Sequence, residues 1–266
     1  NAGVSLPLAI LAALACGALI GAVYAILFNR LGMPSFVSTL SGLLAILGLQ
    51  LYILGPTGSI NLPFASPLVG FGQLWILPAW LSYLLGLLPG AVMIWVGLSV
   101  MKQREAAGLS SQPLTRLVLK AAALTVALEG AIYYLHLGRG VPVMFGLFLL
   151  LAVILNYGLT RTQWGRSMFA VGGNREAARR SGINVRKIYL SAFMLCSTLA
   201  ALGGVLSASR LASSSQQAGT GDVNLNAIAA AVIGGTSLFG GRGSAWSAVL
   251  GIIVIQAISN GLTLLN

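Results

Sequence analysis

Charged residues are scarce in this sequence. Only 7% of its 266 residues are Asp, Glu, Lys or Arg, and only four are acids, whereas about a quarter of the residues in a soluble globular protein are charged. This scarcity excludes an ordinary water-exposed surface. One histidine, His136, and four scattered acids cannot form a metal cluster or a charge-relay triad, so neither a metal site nor a catalytic residue is predicted.

The sequence also lacks a disulfide framework and a phosphate-binding loop. Cys16 and Cys196 both lie in apolar runs, where a thiol behaves as a small hydrophobic side chain. None of the three lysines follows a glycine, as the lysine of a Gly-x-x-x-x-Gly-Lys loop does. We therefore expect no cofactor in this chain, and we do not expect it to be an enzyme.

Long apolar runs dominate what is present. Apolar side chains make up 57% of the chain, and a helix that crosses a membrane needs about 20 mostly apolar residues. Eight runs meet or approach this length: Leu6–Phe28, Ser35–Leu54, Ala79–Val100, Leu117–Leu137, Val141–Thr160, Ile188–Ser209, Val223–Phe239 and Ala245–Leu265. The sequence predicts an all-α fold, a polytopic transmembrane helical bundle in one domain over residues 1–266.

Two segments interrupt this pattern. Ile60–Pro78 holds three prolines and is predicted to be an outer loop, with room for a short re-entrant piece, rather than a ninth span. Val223–Phe239 is short and polar at its start, so it either crosses fully, which places the C-terminus outside, or is re-entrant, which places it inside. Because the chain begins at Asn1 without a methionine, we expect it to be part of a longer protein.

The basic residues predict the orientation in the membrane. If the loop after Thr160 is cytoplasmic, twelve positive residues lie inside and only Arg139 and Arg210 lie outside, with Arg242 unassigned. The twelve are Arg30, Lys102, Arg104, Arg116, Lys120, Arg161, Arg166, Arg175, Arg179, Arg180, Arg186 and Lys187. The net charge of +11 thus indicates orientation and contact with membrane lipid, and no nucleic-acid partner is predicted.

A hydrophilic segment at 161–187 predicts a short helix. Asn174 is suited to cap its N-terminus, Glu176 lies in the first turn where the helix dipole favours a negative charge, and Gly182 supplies a left-handed stop. About two turns of helix need outside support. On charge alone the favoured interpretation is a basic helix on anionic lipid; the alternative is a docking helix for a cytosolic subunit.

A second informative segment, Ala218–Gly251, is punctuated by glycines. Such a segment makes a poor continuous helix, and broken helices at membrane depth are tolerated where their backbone lines a cavity or is buried in protein. The alternative is a glycine-rich packing surface. Glu129 is the one acid inside a predicted span, for which we expect a structural or outer-interface role.

Three stretches resemble a known family. They are RLGMPSFVSTLSG from Arg30 to Gly42, AVGGNREAARRSGINV from Ala170 to Val185, and AIAAAVIGGTSLFGGRGS from Ala227 to Ser244. Together they resemble the permease subunits of bacterial ABC importers for monosaccharides such as ribose, arabinose, galactose and xylose. The extra segment between about Trp75 and Leu137 is most similar to the D-xylose branch.

The resemblance implies a division of labour in a bacterial inner membrane. It implies a homodimer of permeases, cytosolic ABC ATPase subunits that hold ATP and Mg²⁺, a periplasmic sugar-binding protein, and further helices beyond both ends of this chain. It favours the docking interpretation of the cytoplasmic coupling helix. The coupling residues implied are Gly172, Gly173, Asn174, Arg175, Glu176, Ala177, Ala178, Arg179, Arg180 and Gly182.

A translocation pathway is predicted at the glycine-broken helix, because a sugar offers hydroxyls to neutral hydrogen-bonding groups. The residues predicted to line it are Asn224, Asn226, Gly234, Gly235, Thr236 and Ser237. Where the family usually reads Glu-Leu-Asp, this chain has Asn-Leu-Asn at 224–226. The predicted cargo is D-xylose or a related pentose; the alternatives are branched-chain amino acids, nucleosides, or a channel or ion-coupled carrier without an ATPase.

Overall fold

The chain is almost entirely helical in the computed structural model, which describes residues 5–108, 113–219 and 221–265. This confirms the predicted all-α class. A single 3-10 turn at Gly55–Thr57 follows α2 in the described residues. The α-helices and β-strands there are α1 Leu6–Arg30, α2 Ser35–Leu54, β1 Ser59–Asn61, α3 Pro67–Gln73, α4 Ala79–Ala106, α5 Leu114–Leu137, α6 Val143–Arg161, α7 Gln163–Gly173, α8 Arg175–Arg180, α9 Val185–Leu211, β2 Ser213–Ser215, α10 Val223–Ile233 and α11 Trp246–Leu265.

Seven helices in the described part of the chain are long and apolar enough to cross a membrane. They are α1, α2, α4, α5, α6, α9 and α11, and they correspond to seven of the eight predicted runs, although α6 begins two residues and α11 one residue later than predicted. Most of their large apolar side chains are exposed, as expected for surfaces that face lipid. The length and composition of the apolar runs were therefore sufficient to locate these spans.

The eighth predicted run, Val223–Phe239, does not form a spanning helix. Helix α10 ends at Ile233 after 11 residues, so it is about 16 Å long against a membrane core of about 30 Å. The Gly235 backbone has a φ of +106°, and the Thr236 amide donates to the carbonyl of Ala231 at 3.0 Å. These features stop the helix, and the chain returns through a turn into α11.

Helices α10 and α11 form a tight antiparallel hairpin. Gly251 lies directly against the carbonyl of Ala230, and Gly234 lies against the carbonyl of Ser247. If this register is extended, the start of α10 is level with about Ile258, roughly 18 Å along α11 from its first residue. The first turn of α10 therefore lies part-way along α11, beside neither of its ends.

Helices α1 and α9 form a second close pair. A Cβ built on Gly17 would lie 2.7 Å from the Cβ of Ala201, and one built on Gly21 would lie 2.5 Å from the carbonyl oxygen of Phe193. Small residues at such positions let the backbones of membrane helices approach each other. The two glycines lie four residues apart, on the same face of α1.

The predicted outer loop covers the end of α9 that lies away from α8. Within it, α3 packs on α9, where the Ser209 hydroxyl donates to the carbonyl of Leu68. Strand β1 pairs with β2 in antiparallel register, Ser59 opposite Ser215. The segment contains no span, as predicted, although its short strand was not predicted.

Residues 74–146 form a compact unit separate from the one made by residues up to Gln73 and from Leu147 onward. Within the smaller unit, α4 packs on α5 along small residues. Gly90 lies against the hydroxyl of Thr125, and a Cβ on Gly86 would lie 2.7 Å from Oε1 of Glu129. Glu129 therefore packs in a helix interface.

Candidate functional site

The coupling segment begins with an amphipathic helix, α7. The Thr162 hydroxyl caps it by accepting from the Gly165 amide at 3.2 Å. The indole Nε1 of Trp164 donates to the hydroxyl of Ser191 at 2.8 Å, which fastens the helix to α9. Sequence inspection did not single out α7, although its cap and its segregated polar face were detectable signals.

Helix α8 forms where the sequence predicted a short helix. The Asn174 side chain accepts from the amides of Glu176 at 3.0 Å and Ala177 at 2.9 Å. Gly182 has a φ of +82°, which ends the helix in the left-handed conformation. The predicted N-cap and C-terminal stop are both confirmed.

The side chains of α8 divide into a buried face and an exposed face. Ala178 is buried against Val171 and Val185 in a small apolar cluster. Glu176 pairs with Arg179 at 2.9 Å, and the side chains of these two residues remain 52% and 71% exposed. One face thus fixes the helix to its own chain, and the other exposes charged side chains.

Arg175 is exposed, and it also contacts aromatic side chains of its own chain. Its guanidinium carbon lies 6.0 Å from the ring centre of Phe28 on α1 and 5.7 Å from that of Tyr189 on α9. The Asn29 amide donates to the carbonyl of Arg186 at 3.1 Å in the same region. The resemblance implies a coupling role for Arg175, which stays a prediction, and its observed contacts join α8 to the α1–α9 pair.

The predicted pathway residues do not lie together. Asn224 and Asn226 are exposed in the first turn of α10, and they lie about 200° apart around the helix axis. Thr236 and Ser237 lie in the turn that follows α10, at its opposite end, where the Ser237 hydroxyl accepts from the Phe239 amide at 3.2 Å. Gly234 packs on α11 and Gly235 ends the helix.

The end of α7 contacts the turn after α10 at glycines on both sides. A Cβ built on Gly172 would lie 2.7 Å from the Gly241 amide nitrogen, and one on Gly240 would lie 2.5 Å from the Gly172 carbonyl oxygen. A Cβ on Gly241 would lie 2.7 Å from the Cα of Gly173. The structure thus joins the coupling segment to the glycine-broken segment, a contact that sequence reasoning missed.

Comparison of the sequence with known proteins identifies the family of this chain. The whole chain, residues 1–266, matches the family described as branched-chain amino acid transport system, permease component. The chain belongs to this permease family. With seven candidate spans among the residues that the structure describes, this permease is a multi-pass membrane protein, and its family is a transport component.

Several relatives of this chain are named as permeases for xylose or ribose. This permease is 38% identical over 266 residues to the xylose transport system permease protein XylH of Escherichia coli, a match that covers 99% of this chain and 66% of the relative. It is 34% identical over 270 residues to XylH of Haemophilus influenzae, 69% of which is covered. The match to the ribose import permease protein RbsC of Escherichia coli is 42% over 127 residues, 48% of this chain and 39% of the relative.

These relatives confirm the resemblance to monosaccharide permeases. The chain spans about two thirds of the length of the xylose permeases it matches. No solved structure matches it.

Proposed function

We propose that this permease is the membrane-spanning subunit of an ATP-driven importer for a monosaccharide, D-xylose or a related pentose, in a bacterial inner membrane. Similarity to xylose permeases along 99% of the chain is the observation that carries the proposal. The family description names branched-chain amino acids, which leaves them, with nucleosides, as alternative cargo. Residues 1–266 act as one permease domain in this proposal.

The exposed face of α8 is the proposed docking surface for a cytosolic ABC ATPase, which supplies the site for ATP and Mg²⁺. Glu176, Ala177, Arg179 and Arg180 are exposed there. The exposed side chains carry two guanidinium groups and one carboxylate, which complement a charged groove better than an apolar one. A second copy of the permease, a periplasmic sugar-binding protein and the surrounding lipid complete the proposed assembly.

The proposed translocation pathway passes the first turn of α10. Asn224 and Asn226 offer amide groups in the first turn of α10, which lies part-way along the spanning helix α11. Ala230 faces α11, and Asn226 lies one turn before it on nearly the same stripe, whereas Asn224 lies about 120° away. Asn224 is therefore the stronger candidate for sugar contact; Gly234, Gly235, Thr236 and Ser237 act at the inner end of the same hairpin.

Cysteine labelling tests this pathway. In a Cys16→Ala, Cys196→Ala background, which removes the two exposed native thiols, we expect Asn224→Cys to react with a small water-soluble thiol reagent at a rate that changes between nucleotide states. Leu8→Cys on an exposed, apolar part of α1 is the control and should not respond to nucleotide. Inaccessibility of both Asn224→Cys and Asn226→Cys in every nucleotide state would place α10 in a packing core.

Substitution of Glu129 tests whether an ion gradient drives sugar transport. Its Oε1 is buried at the α4–α5 interface with no hydrogen-bond partner among the described residues, and it faces Gly86. Gln has the same shape and preserves this packing, so we expect Glu129→Gln to leave sugar uptake within a few-fold of the unchanged permease. An ion carrier that used this carboxyl would lose coupling altogether.

Sugar uptake into reconstituted vesicles distinguishes ATP hydrolysis from a proton gradient as the energy source. Uptake should require the ATPase, ATP and the binding protein, and it should be indifferent to an imposed proton gradient. Sugar uptake by the permease alone along a proton gradient would overturn the proposed function. Competition with ribose, branched-chain amino acids and nucleosides in the same vesicles identifies the cargo.

A further inference from the structure

The coupling corner, defined here as α7, α8 and the turn between them, contacts two stiff helix pairs. Helices α1 and α9 are in close contact at Gly17 and Gly21, and α10 and α11 are in close contact at Gly234 and Gly251. Backbone contacts of this kind leave little room for one helix of a pair to slide past the other. Each pair is therefore expected to move as one piece.

The coupling corner is attached to these pairs in different ways. Its contacts with α1 and α9 use side chains, namely the cluster of Val171, Ala178 and Val185 and the stacking of Arg175 on Phe28 and Tyr189. Its contact with the α10–α11 turn uses the backbone atoms of glycines. Side chains can change rotamer and so accommodate a helix shift, whereas backbone atoms in direct contact have no such freedom.

From this difference we infer that the glycine contact, Gly172 and Gly173 against Gly240 and Gly241, is the joint that transmits movement of α8 to the α10–α11 hairpin. The inference rests on the proposed function and extends it, because it assigns coupling residues outside the cytoplasmic segment. A push on α8 displaces the turn after α10, and the hairpin carries that displacement to Asn224 at its other end. The α1–α9 pair serves as the support against which the coupling corner turns.

Two substitutions test the joint from its two sides. Gly241→Ala places a methyl group 2.7 Å from the Gly173 Cα, and Gly172→Ala places one 2.7 Å from the Gly241 nitrogen. In vesicles that contain the permease, the ATPase and the binding protein, we expect Gly241→Ala to bind the ATPase and to support ATP hydrolysis. Sugar transported per ATP should fall about tenfold or more, since a wedge at the joint changes the coupling between sites.

Matched controls separate contact from backbone strain. Gly241 has a φ of +72° and Gly108 has a φ of +67°, but a Cβ on Gly108 would meet no atom of the described residues within 4 Å. Gly108→Ala therefore introduces the same strain without the contact. Gly203→Ala in α9, also in open space, is the corresponding control for Gly172→Ala. Both controls should transport normally for each ATP hydrolysed.

Amide hydrogen exchange on the permease alone tests the joint without any partner. We expect Gly241→Ala and Gly172→Ala to speed exchange at residues 234–245, while exchange in α1 and α9 stays unchanged. Unchanged exchange there, or unchanged transport per ATP in folded variants, would overturn the inference. If the unchanged permease shows no ATP-driven uptake at all, the proposed function fails instead, and the exchange experiment still decides whether the joint exists.

Discussion

Replacing Ala177 with tryptophan is expected to abolish association with the cytosolic ATPase. Ala177 is exposed on α8, so a large side chain there blocks the docking face without entering the apolar cluster below it. Co-purification of the ATPase with the affinity-tagged permease measures the effect, which we expect to be a loss of essentially all bound ATPase. Glu176→Lys should act in the same direction, because it removes the ion pairs to Arg179 and Arg180 and opposes the helix dipole.

The chain provides its own matched control. The tetrapeptide Arg-Glu-Ala-Ala occurs at 175–178 and again at 104–107, and Ala106 is the exposed counterpart of Ala177. Ala106→Trp should leave ATPase binding unchanged. If Ala177→Trp also bound the ATPase normally, α8 would be a helix that lies on the lipid surface. This is the interpretation that charge alone favours. Ala178→Trp is a poor probe of docking, since Ala178 is 4% exposed and its enlargement unpacks the coupling corner itself.

Replacing Gly21 with leucine is expected to separate α1 from α9 and to destabilise the fold strongly. The new Cβ would lie 2.5 Å from the Phe193 carbonyl oxygen and 2.6 Å from the Met194 Cα, and neither backbone atom can move aside. We expect a destabilisation of about 3 kcal/mol or more, at or above the upper end of the usual range for overpacked cores. Thermal unfolding of the detergent-solubilised permease, followed by circular dichroism, measures the change.

Gly48→Leu is the control for this substitution. Gly48 lies within α2, another membrane-spanning helix, and a Cβ there would meet no atom within 4 Å. The same change in side chain should therefore leave the unfolding temperature near that of the unchanged permease, with a small gain in helix propensity. Equal unfolding temperatures for the two variants would show that the α1–α9 contact contributes little to stability.

Local signals in the sequence were sufficient for the spans and for α8. A spanning helix follows from a run of apolar residues that matches the membrane thickness, which is a property of consecutive residues. The cap at Asn174 and the stop at Gly182 are likewise determined within a few residues. The family resemblance, which the comparisons confirmed, came from the same stretches.

Local signals in the sequence could not predict where α10 ends. The doublet Gly234–Gly235 ends α10, yet the doublet Gly203–Gly204 lies inside α9 without interrupting it. Glycine permits both outcomes, because it adopts helical and left-handed backbone conformations with similar ease. At Gly234 the packing of the Ser247 carbonyl on α11 accompanies the break, and that contact depends on the return of the chain.

The sequence by itself determined that this protein crosses a membrane, where seven of its eight apolar runs form helices long enough to span it, and that a capped basic helix follows Asn174. Only the tertiary structure decided that Arg175 joins α8 to α1 and α9, and that Gly172 touches Gly241. Apolar periodicity and capping act between neighbours in the chain, so composition records them. A contact between glycines 69 positions apart leaves no side-chain pattern to recognise, and it arises only from how the helices pack.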